Sequence, residues 1–552
     1  MPRQVLMYDT TLRDGCQAEG VAFSVKDKIQ IAQRLDDLGI AYVEGGWPNP
    51  TNPKDVQFFE RARDVEFTHT KISAFGSTRR AGIAPEDDAN LRYLVEAQTP
   101  VVAIFGKSWT LHVTDVLRTT PDENLRMIEE SVRFLVSQGR EVIYDAEHFF
   151  DGYDAHPGYA VETLKAAERG GAACLVLCDT NGGTMPLHLQ EIIEAVKPQV
   201  ATPLGVHCHN DAGMAVANSL IAVELGAEHV QGTFNGYGER CGNANLCVII
   251  PNLELKLGVQ CLPEGKLQEL VSVSRYVNEL AALPDDPRQP YVGASAFAHK
   301  GGMHVDAVLK CPRSFEHVEP QTVGARRRIL LSDQSGGSTI LAKLGAPAGD
   351  ESAEATIAAR LAELRPGLKK SDPEVREMLA AVKNLEHEGY QFEAAEGSFV
   401  LLAKRILGAY KQPFDLHGFR VSVLKHEDAE TYAEATVRLK VDGREEHTAA
   451  SGNGPVHALD RALRKALLPF YPQLEKVHLT DFKVRVLDRG AGTAAKVQVF
   501  IESSDGTETW GTVGAHTDII AASWQALVDS IEYVLLREQR ASTGAAPVEE
   551  GR

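Results

Sequence analysis

Two short segments of the chain carry side chains that together could bind a metal ion and polarise a carbonyl group. Arg13 and Asp14 stand side by side, shortly after the apolar run Val5 to Tyr8. Much later, the sequence GVHCHND places His207 and His209 two positions apart. Side chains alternate along a β-strand, so both imidazoles point to the same side. Two neutral imidazoles and one carboxylate make a divalent-metal site with open positions for substrate and water.

The full ligand set and the identity of the metal stay open at this point. Asp14 is the best carboxylate candidate, and Asn243 could add an amide oxygen directly or through water. Mg²⁺, Mn²⁺, Co²⁺ and Zn²⁺ all remain candidates. A bare pair of histidines two apart is more often structural or exposed, and only its predicted position at a strand end favours a metal site. Cys208 should face the other way and pack.

Eight apolar runs supply the strands that must position these side chains. Each run leads into polar or glycine residues and then into a helix-like segment, which is typical of βα units and a parallel sheet. Eight units favour an α/β fold of the (β/α)8 TIM-barrel type. A doubly wound sheet is the alternative, but no GxGxxG turn follows the first run. The runs are Val5–Tyr8, Ala41–Val43, Ile72–Phe75, Val101–Phe105, Val142–Tyr144, Cys174–Leu177, Leu204–Val206 and His229–Phe234.

The carboxyl ends of the predicted strands carry a dense set of polar residues. In a TIM barrel these ends surround the active site, so the arginine, the aspartate and the histidine pair should meet there with further carboxylates and amides. The connecting helices also have local signals, since Ser24 and Asp27 have capping-box spacing and Gly39 can end the first helix. The additional residues expected at the barrel mouth are Glu44, Asp145, Glu147, Asp179, Thr180 and Glu239 to Asn243.

Composition places limits on the partners and the surroundings of the protein. The chain has 552 residues, too many for one core, and a net charge of −19. That charge argues against nucleic-acid and anionic-membrane surfaces, although a local metal or arginine can still attract an anionic substrate. No apolar run approaches the ~20 residues of a membrane span, and no signal-peptide pattern is present. Eight scattered cysteines without a CxxC pair are typical of reduced thiols in a cytoplasmic protein.

A repeat near the C-terminus predicts a separate α+β domain. The sequence FRVSVL at Phe419 recurs as FKVRVL at Phe482, 63 residues later. Each copy reads as three strands followed by a helix, giving two βββα units with predicted helices over 456–468 and 519–536. The predicted organisation is a catalytic barrel over 1–283, a helical linker region over 284–410, a regulatory domain over 411–540 and a disordered tail over 541–552. The glycines at 452–454 and 511–514 are expected before the two helices, where backbone N–H groups can bind a carboxylate.

Three well-separated motifs resemble those of a known enzyme family. DTTLRDGCQ, HCHND and GYGERCGNANL are similar to the signature segments of the DRE-TIM metallolyases, and more narrowly of the 2-isopropylmalate, homocitrate and citramalate synthases. YVEGGWPNPTNPKD and DAEHFFDGY most resemble the citramalate synthase branch. The C-terminal part resembles the regulatory domain of these synthases. The resemblance therefore extends over nearly the whole chain.

The resemblance implies a metal-dependent acyltransferase. A Claisen-type condensation of acetyl-CoA with pyruvate, followed by thioester hydrolysis, would give citramalate and CoA. A 2-isopropylmalate synthase acting on 2-oxoisovalerate is the nearest alternative, and a non-catalytic amino-acid-binding protein is the alternative of another class. By the same resemblance, the metal ligands are Asp14, His207, His209 and Asn243. Arg13, Gln17, Glu44 and Thr180 contact substrate, and Arg13 and Glu147 are catalytic.

The segment SAFAHKGGMHVDAVLK resembles the part of these synthases that reaches over a barrel, often that of the partner subunit. His304 matches the proposed base of the family, and Lys300 could contact CoA phosphates. The chain departs from the family at Phe315, where many relatives have tyrosine, so His304 must be oriented in another way. The resemblance further implies a homodimer. It also implies an amino-acid effector, isoleucine for a citramalate synthase and leucine for an isopropylmalate synthase.

Overall fold

The computed structural model describes residues 3–330, 373–392, 395–424, 432–487, 494–506 and 508–541. The chain divides into two compact units. The first comprises residues 1–297 and 317–326, and the second comprises residues 298–316 and 327–552. The predicted domain boundaries at 283, 410 and 540 stay predictions. Residues 331–372 of the predicted helical linker region and residues 542–552 of the predicted tail lie outside the described residues.

The first unit is built on a closed barrel of eight parallel strands in sequence order, which confirms the predicted (β/α)8 fold. The first strand pairs with the second and the eighth, so no edge is left open. The strands are β1 (Leu6–Asp9), β2 (Tyr42–Gly46), β3 (Lys71–Ser77), β4 (Val101–Lys107), β5 (Glu141–Glu147), β6 (Cys174–Asp179), β7 (Leu204–Cys208) and β8 (His229–Gly232).

Ten helices of the first unit are described, and most of them cover the outside of the barrel. Ser24 and Asp27 form the predicted capping box at the start of the first helix, and Gly39 ends it in the left-handed region. The helices are α1 (Val25–Leu38), α2 (Pro53–Ala62), α3 (Ala89–Glu96), α4 (Pro121–Ser137), α5 (Phe149–Ala155), α6 (Pro157–Gly170), α7 (Pro186–Val196), α8 (Ala215–Glu224), α9 (Leu246–Lys256) and α10 (Leu270–Leu280).

Two apolar layers hold this unit together. The larger one lies between strands and helices and includes fully buried side chains such as Ile31, Leu35 and Val43. The smaller one fills the barrel interior with residues such as Tyr8, Ile143 and Val176. Successive strand residues face opposite sides of the sheet, so each strand contributes to both layers. At the carboxyl ends the inward positions become polar, which creates the site described below.

The predicted strand ends were inexact: seven strands run past the apolar run that predicts them, and the eighth stops before its run does. The fifth strand extends to Glu147 and therefore includes the polar residues that were expected just after it. The eighth strand ends at Gly232 instead of Phe234. Phe234–Gly236 forms a short 3₁₀ turn in which Asn235 has φ 62°, so the apolar run continues after the strand geometry has ended. Apolar runs report burial, and burial does not stop where a strand stops.

The second unit contains the two predicted βββα repeats. Each repeat has a three-stranded antiparallel sheet in sequence order, followed by a helix. The first consists of β11 (Asp415–Leu424), β12 (Tyr432–Val441), β13 (Arg444–Gly452) and α14 (Pro455–Leu467). The second consists of β14 (His478–Val486), β15 (Val497–Ser504), β16 (Thr509–His516) and α15 (Ile519–Ala541). Preceding them are β9 (Ala298–His299), α11 (Gly302–Lys310), β10 (Arg328–Ile329), α12 (Pro373–His387) and α13 (Glu396–Ile406).

The prediction that glycines with free backbone N–H groups precede each helix was wrong for the second repeat. Gly511 and Gly514 lie inside β16, where the strand ladder engages the backbone, and helix α15 begins only at Ile519. In the first repeat, Gly454 does cap helix α14. Among the described residues, the only helical stretch long and apolar enough to cross a membrane is 519–537, and 67% of it is buried within the fold. A core helix explains this burial without a membrane.

Candidate active site at the carboxyl end of the barrel

The structure brings Asp14, His207 and His209 together in the first unit. The Oδ2 atom of Asp14 lies 3.4 Å from Nε2 of His207 and 3.9 Å from Nε2 of His209. The two Nε2 atoms are 3.3 Å apart. Adjacent ligands of an octahedral cation with bonds of about 2.1 Å are separated by about 3 Å, so these three atoms have the spacing of a metal-binding face. Within the described residues, this is the one such cluster of His, Cys, Asp or Glu.

The unpaired polar atoms around this cluster also fit a cation. Asp14 Oδ1 and both side-chain polar atoms of Asn243 are buried and have no hydrogen-bond partner among the described residues. Burying such atoms without a partner is costly, and a cation with its water would satisfy the oxygens. Burial and the neighbouring His207 lower the pKa of His209 to about 3, which keeps that imidazole neutral as a ligand must be. The donor set of one carboxylate, two imidazoles and an amide oxygen therefore fits a divalent metal.

Local structure explains how residues so distant in sequence meet. Asp14 precedes the 3₁₀ turn Gly15–Gln17, which follows β1 and turns the chain across the barrel mouth. His207 lies in β7, and His209 follows that strand and forms an isolated bridge with Asn243. Cys208 points into the core between strands and helices, as the alternation predicted.

Arg13 is held beside the cluster by buried polar groups. Its Nε donates to Glu44 Oε2 at 2.7 Å, and its Nη1 lies 3.3 Å from Asp14 Oδ2. The guanidinium also lies 3.7 Å above the ring of Phe75. Glu44 in turn accepts from the hydroxyl of Tyr8 at 3.0 Å. This arrangement fixes one face of the guanidinium and leaves Arg13 lining the open cavity.

The charges of this group are coupled. Burial alone would lower the pKa of Arg13, but the carboxylates of Glu44 and Asp14 raise it above its usual value. Burial raises the pKa of Glu44, and Arg13 opposes that shift. Burial would also raise the pKa of Asp14, but Arg13 and His207 outweigh it and hold that pKa below its usual range. Arg13 is therefore charged and Asp14 ionised, the states that a substrate-binding arginine and a metal-binding carboxylate would need.

Glu147 and Thr180 line the same cavity, at the ends of β5 and β6. Glu147 forms an ion pair with Lys107, a residue at the end of β4 that sequence reasoning missed. Thr180 Oγ1 accepts the backbone N–H of His148 at 2.9 Å, which leaves its hydroxyl hydrogen able to donate. Such a donor suits a carboxylate. The run VVAIFGK, in which an apolar strand ends in lysine, was the available signal for Lys107.

An aromatic wall bounds one side of the cavity. Trp47, Phe75 and Phe105 lie with their ring centroids 5.5–5.7 Å apart, two contacts edge-on and one stacked. Asp55 accepts the backbone N–H of Trp47 at 2.9 Å and anchors the loop that carries it. The cavity has a volume of about 240 Å³ and is lined by Arg13, Asp14, Gln17, Trp47, Phe75, Phe105, Asp145, Glu147, Cys178, Thr180, His207, His209, Glu239 and Arg240.

Arg240 is a second arginine at the barrel mouth. From the sequence it is expected there only as part of the segment Glu239 to Asn243. It pairs with both carboxylate oxygens of Asp211, at 2.8 and 2.9 Å, and donates to the carbonyl of Thr180 at 2.8 Å. These contacts tie the loop after β8 to the loops after β6 and β7. The loop also contains Asn243, the candidate amide ligand, so the contacts of Arg240 help to hold the backbone that carries it.

His304 belongs to the second unit, on helix α11, and its assignment as the base stays a prediction. Its ring stacks on Phe315, with centroids 4.2 Å apart and an angle of 24° between the planes. Glu316, the next residue, accepts two hydrogen bonds from Arg327 and lies 3.1 Å from His299. The phenylalanine that replaces the expected tyrosine thus orients His304 by ring stacking, and the contacts of the buried Glu316 hold this segment in place.

Three family profiles match the chain. The HMGL-like profile covers residues 4–277. The homocitrate synthase post-HMGL domain-like profile covers 291–356. The profile of the LeuA allosteric (dimerisation) domain covers 393–535. The first match contains Asp14, His207, His209 and Asn243, and the last covers both βββα repeats except the end of the final helix.

Individual relatives are similar over nearly their full length. An (R)-citramalate synthase of Geobacter sulfurreducens is 52% identical, over 97% of this chain and 98% of the relative. One of Aquifex aeolicus is 51% identical, over 98% and 99%. A probable 2-isopropylmalate synthase of Methanopyrus kandleri is more distant, at 31% identity over 98% and 100%.

Proposed function

The chain belongs to the family that contains the (R)-citramalate synthases and the 2-isopropylmalate synthases, and we propose that it condenses acetyl-CoA with pyruvate to form citramalate and CoA. The observation that carries this choice is the gap in similarity, 52% to a citramalate synthase against 31% to an isopropylmalate synthase. The aromatic wall stands beside Arg13 and bounds the side of the cavity where the side chain of the keto acid would lie.

Each side chain of the cavity has a role in this proposal. Asp14, His207 and His209, with Asn243, would hold a divalent cation, which supplies Lewis-acid polarisation of the keto carbonyl when bound. Arg13 donates to the carbonyl oxygen that gains negative charge. Glu44 fixes the orientation of that guanidinium.

The remaining roles concern the substrates and the proton. Thr180 donates to the carboxylate of pyruvate, and Gln17 contacts the same substrate from the turn after β1. Glu147, held by Lys107, positions the acetyl group or a water molecule. His304 takes a proton from the methyl group of acetyl-CoA, and the resulting carbanion forms the new C–C bond with the carbonyl carbon. The electron pair of the C=O π bond moves to the oxygen that faces Arg13, and this oxygen takes up a proton to become the hydroxyl group of the product. Water then cleaves the thioester and releases CoA.

We infer that the second unit regulates this activity. Its two βββα repeats match the LeuA allosteric (dimerisation) profile, so we assign it dimer formation and the binding of an end-product amino acid. Isoleucine is the effector expected for a citramalate synthase and leucine the alternative. The proposed location is the cytoplasm, consistent with eight cysteines that are all free.

The experiment that tests the proposed function is a substrate panel. CoA release is measured with acetyl-CoA and pyruvate, 2-oxobutyrate or 2-oxoisovalerate, with and without a chelator, and again with isoleucine or leucine added. Pyruvate should be the best substrate, the chelator should abolish release, and isoleucine should inhibit. A preference for 2-oxoisovalerate with inhibition by leucine would identify an isopropylmalate synthase instead. Amino-acid binding without CoA release from any substrate would leave only a regulatory protein.

Phe105→Ala is expected to relax the preference for pyruvate. Removing this ring opens the aromatic wall without touching Arg13, because Phe75 carries the guanidinium contact. One methylene in an apolar pocket is worth about 1–3 kcal/mol, so kcat/KM for 2-oxobutyrate relative to pyruvate should rise about 10-fold or more. Competition assays with the two keto acids measure this ratio.

A matched truncation provides the control for this prediction. Phe67 is half-buried and precedes β3, at the opposite end of the barrel from the cavity. Phe67→Ala should alter stability and leave the ratio unchanged. An unchanged ratio in Phe105→Ala would show that the wall does not limit the length of the keto acid.

A further inference from the structure

A chain of three side chains inside the barrel ends at one of the metal-ligand candidates. His207 Nδ1 and Gln231 Oε1 are 2.8 Å apart. Gln231 Nε2 donates to Asp145 Oδ1 at 2.9 Å. The three residues come from β7, β8 and β5, and all are buried, with Gln231 fully so. The strands of a closed barrel hold such a chain in register.

The hydrogen bonds between these three side chains run in one direction, from His207 through Gln231 to Asp145. The structure places the NH₂ group of the Gln231 amide against Asp145 Oδ1, to which it donates. The amide oxygen then faces His207, and Nδ1 of that imidazole must carry its proton. A neutral imidazole protonated at Nδ1 has its lone pair on Nε2, the atom that faces Asp14 and His209.

We propose that Gln231 is a positioning residue for the metal centre, and that Asp145 in turn fixes the orientation of the Gln231 amide. Gln231 would hold His207 in the tautomer and ring orientation that present Nε2 to the cation. This inference rests on the metal centre of the proposed function and adds two residues to it. Ligating histidines commonly donate their other N–H to such a partner, and loss of the partner typically weakens metal binding by about 10- to 100-fold.

A neutral partner suits this position. The barrel interior already contains the buried carboxylates of Glu44 and Asp145. Burial raises the pKa of both, and Glu44 adds to the rise at Asp145. A third carboxylate at position 231 would add repulsion in the same low-dielectric space. An amide accepts from His207 without adding charge, and its second end is satisfied by Asp145.

The proposal is tested by cation binding to the full-length apoprotein. Mn²⁺ is titrated into chelator-treated protein, and free Mn²⁺ is followed by electron paramagnetic resonance. Gln231→Met keeps the volume and removes both hydrogen bonds, so the Kd for Mn²⁺ should rise about 10- to 100-fold. Asp145→Leu leaves the amide free to rotate and should raise the Kd by a smaller factor. Asp145→Asn keeps an acceptor oxygen and should bind Mn²⁺ within a few-fold of the unchanged protein.

Controls separate this role from a general effect on folding. Gln498, in β15 of the second unit, is also buried, and its amide donates to the carbonyl of Gly389. Gln498→Met should destabilise the protein and leave the Mn²⁺ affinity unchanged. An Mn²⁺ Kd that stays unchanged in both folded Gln231→Met and Asp145→Leu would overturn the proposal. If Gln231→Met does not fold, the proposal is decided by comparing the Mn²⁺ Kd of Asp145→Leu with that of Asp145→Asn.

The readout also separates this inference from the proposed function. Absence of Mn²⁺ binding to the unaltered protein would refute the metal centre and the inference with it. Normal Mn²⁺ binding without citramalate formation would refute the substrate assignment and leave the role of Gln231 standing. Weakened binding in Gln231→Met, together with an unaltered Kd in Gln498→Met, supports it.

Discussion

Asp14→Asn should lower kcat for CoA release from acetyl-CoA and pyruvate by about 10³-fold, because Lewis-acid stabilisation is worth several kcal/mol. The substitution keeps the size of the side chain and removes the charge that faces His207 and His209. Arg13 also loses a carboxylate 3.3 Å away. Steady-state assays with added Mg²⁺, Mn²⁺ or Co²⁺ measure the loss, and Mn²⁺ titration measures the accompanying weaker binding.

Asp36→Asn is the matched control. Asp36 is also buried, but it accepts backbone N–H groups of residues 68 to 70 at 2.7–2.9 Å, away from the cavity. Its replacement should lower stability and leave Mn²⁺ affinity and kcat nearly unchanged. Amino-acid binding to the second unit should persist in Asp14→Asn. Full CoA release from a folded Asp14→Asn protein would contradict the metal centre and the reaction assigned to it.

Much of the barrel could be predicted because its pattern is local. Apolar runs with polar ends repeat at regular spacing, and a parallel barrel places all those ends on one face. Side-chain alternation then placed His207 and His209 on the same side, with Cys208 opposite. The C-terminal repeat was predictable for a similar reason, since Phe419 and Phe482 mark equivalent strands.

The features of the site that the sequence did not predict depend on contacts between strands. Gln231 reads as an ordinary polar residue of a buried strand, and only the register of β8 beside β7 brings it to His207. Lys107 meets Glu147 through the pairing of β4 with β5. The aromatic wall joins Trp47 to rings of two other strands. Sequence spacing does not contain these neighbours, because strand register is a tertiary property.

The wrong glycine expectation has a related cause. Glycines between a strand and a helix usually mark a turn, which is why the glycines at 511–514 are expected before a helix with free backbone N–H groups. In the structure, a Cβ on Gly514 would lie 2.1 Å from the carbonyl oxygen of Ala522 on helix α15. Close packing of the strand against its helix therefore requires glycine there. The same residue type serves a turn or a close approach, and the sequence alone does not separate the two.

Arg13→Lys should lower kcat by about 10²- to 10³-fold, the usual effect of removing one donor from a developing oxyanion. Lysine keeps the positive charge, but one ammonium cannot reproduce the planar fork that contacts Glu44 at 2.7 Å and lies over Phe75. The amine must either stay with Glu44 or reach the substrate oxygen. Initial rates of CoA release at saturating pyruvate measure kcat, and Mn²⁺ titration checks that the metal site survives.

Arg79→Lys separates catalysis from the general cost of replacing a buried arginine. Arg79 is 4% exposed and pairs with Glu123 and Glu130, and it does not line the cavity. Its replacement should lower the thermal unfolding temperature and change kcat little. The reverse pattern, a large loss in kcat with little loss of stability, is expected for Arg13→Lys. Equal kcat losses in the two variants would assign Arg13 a structural role. The oxyanion would then need another donor, for which Arg240, the other arginine that lines the cavity, is a candidate.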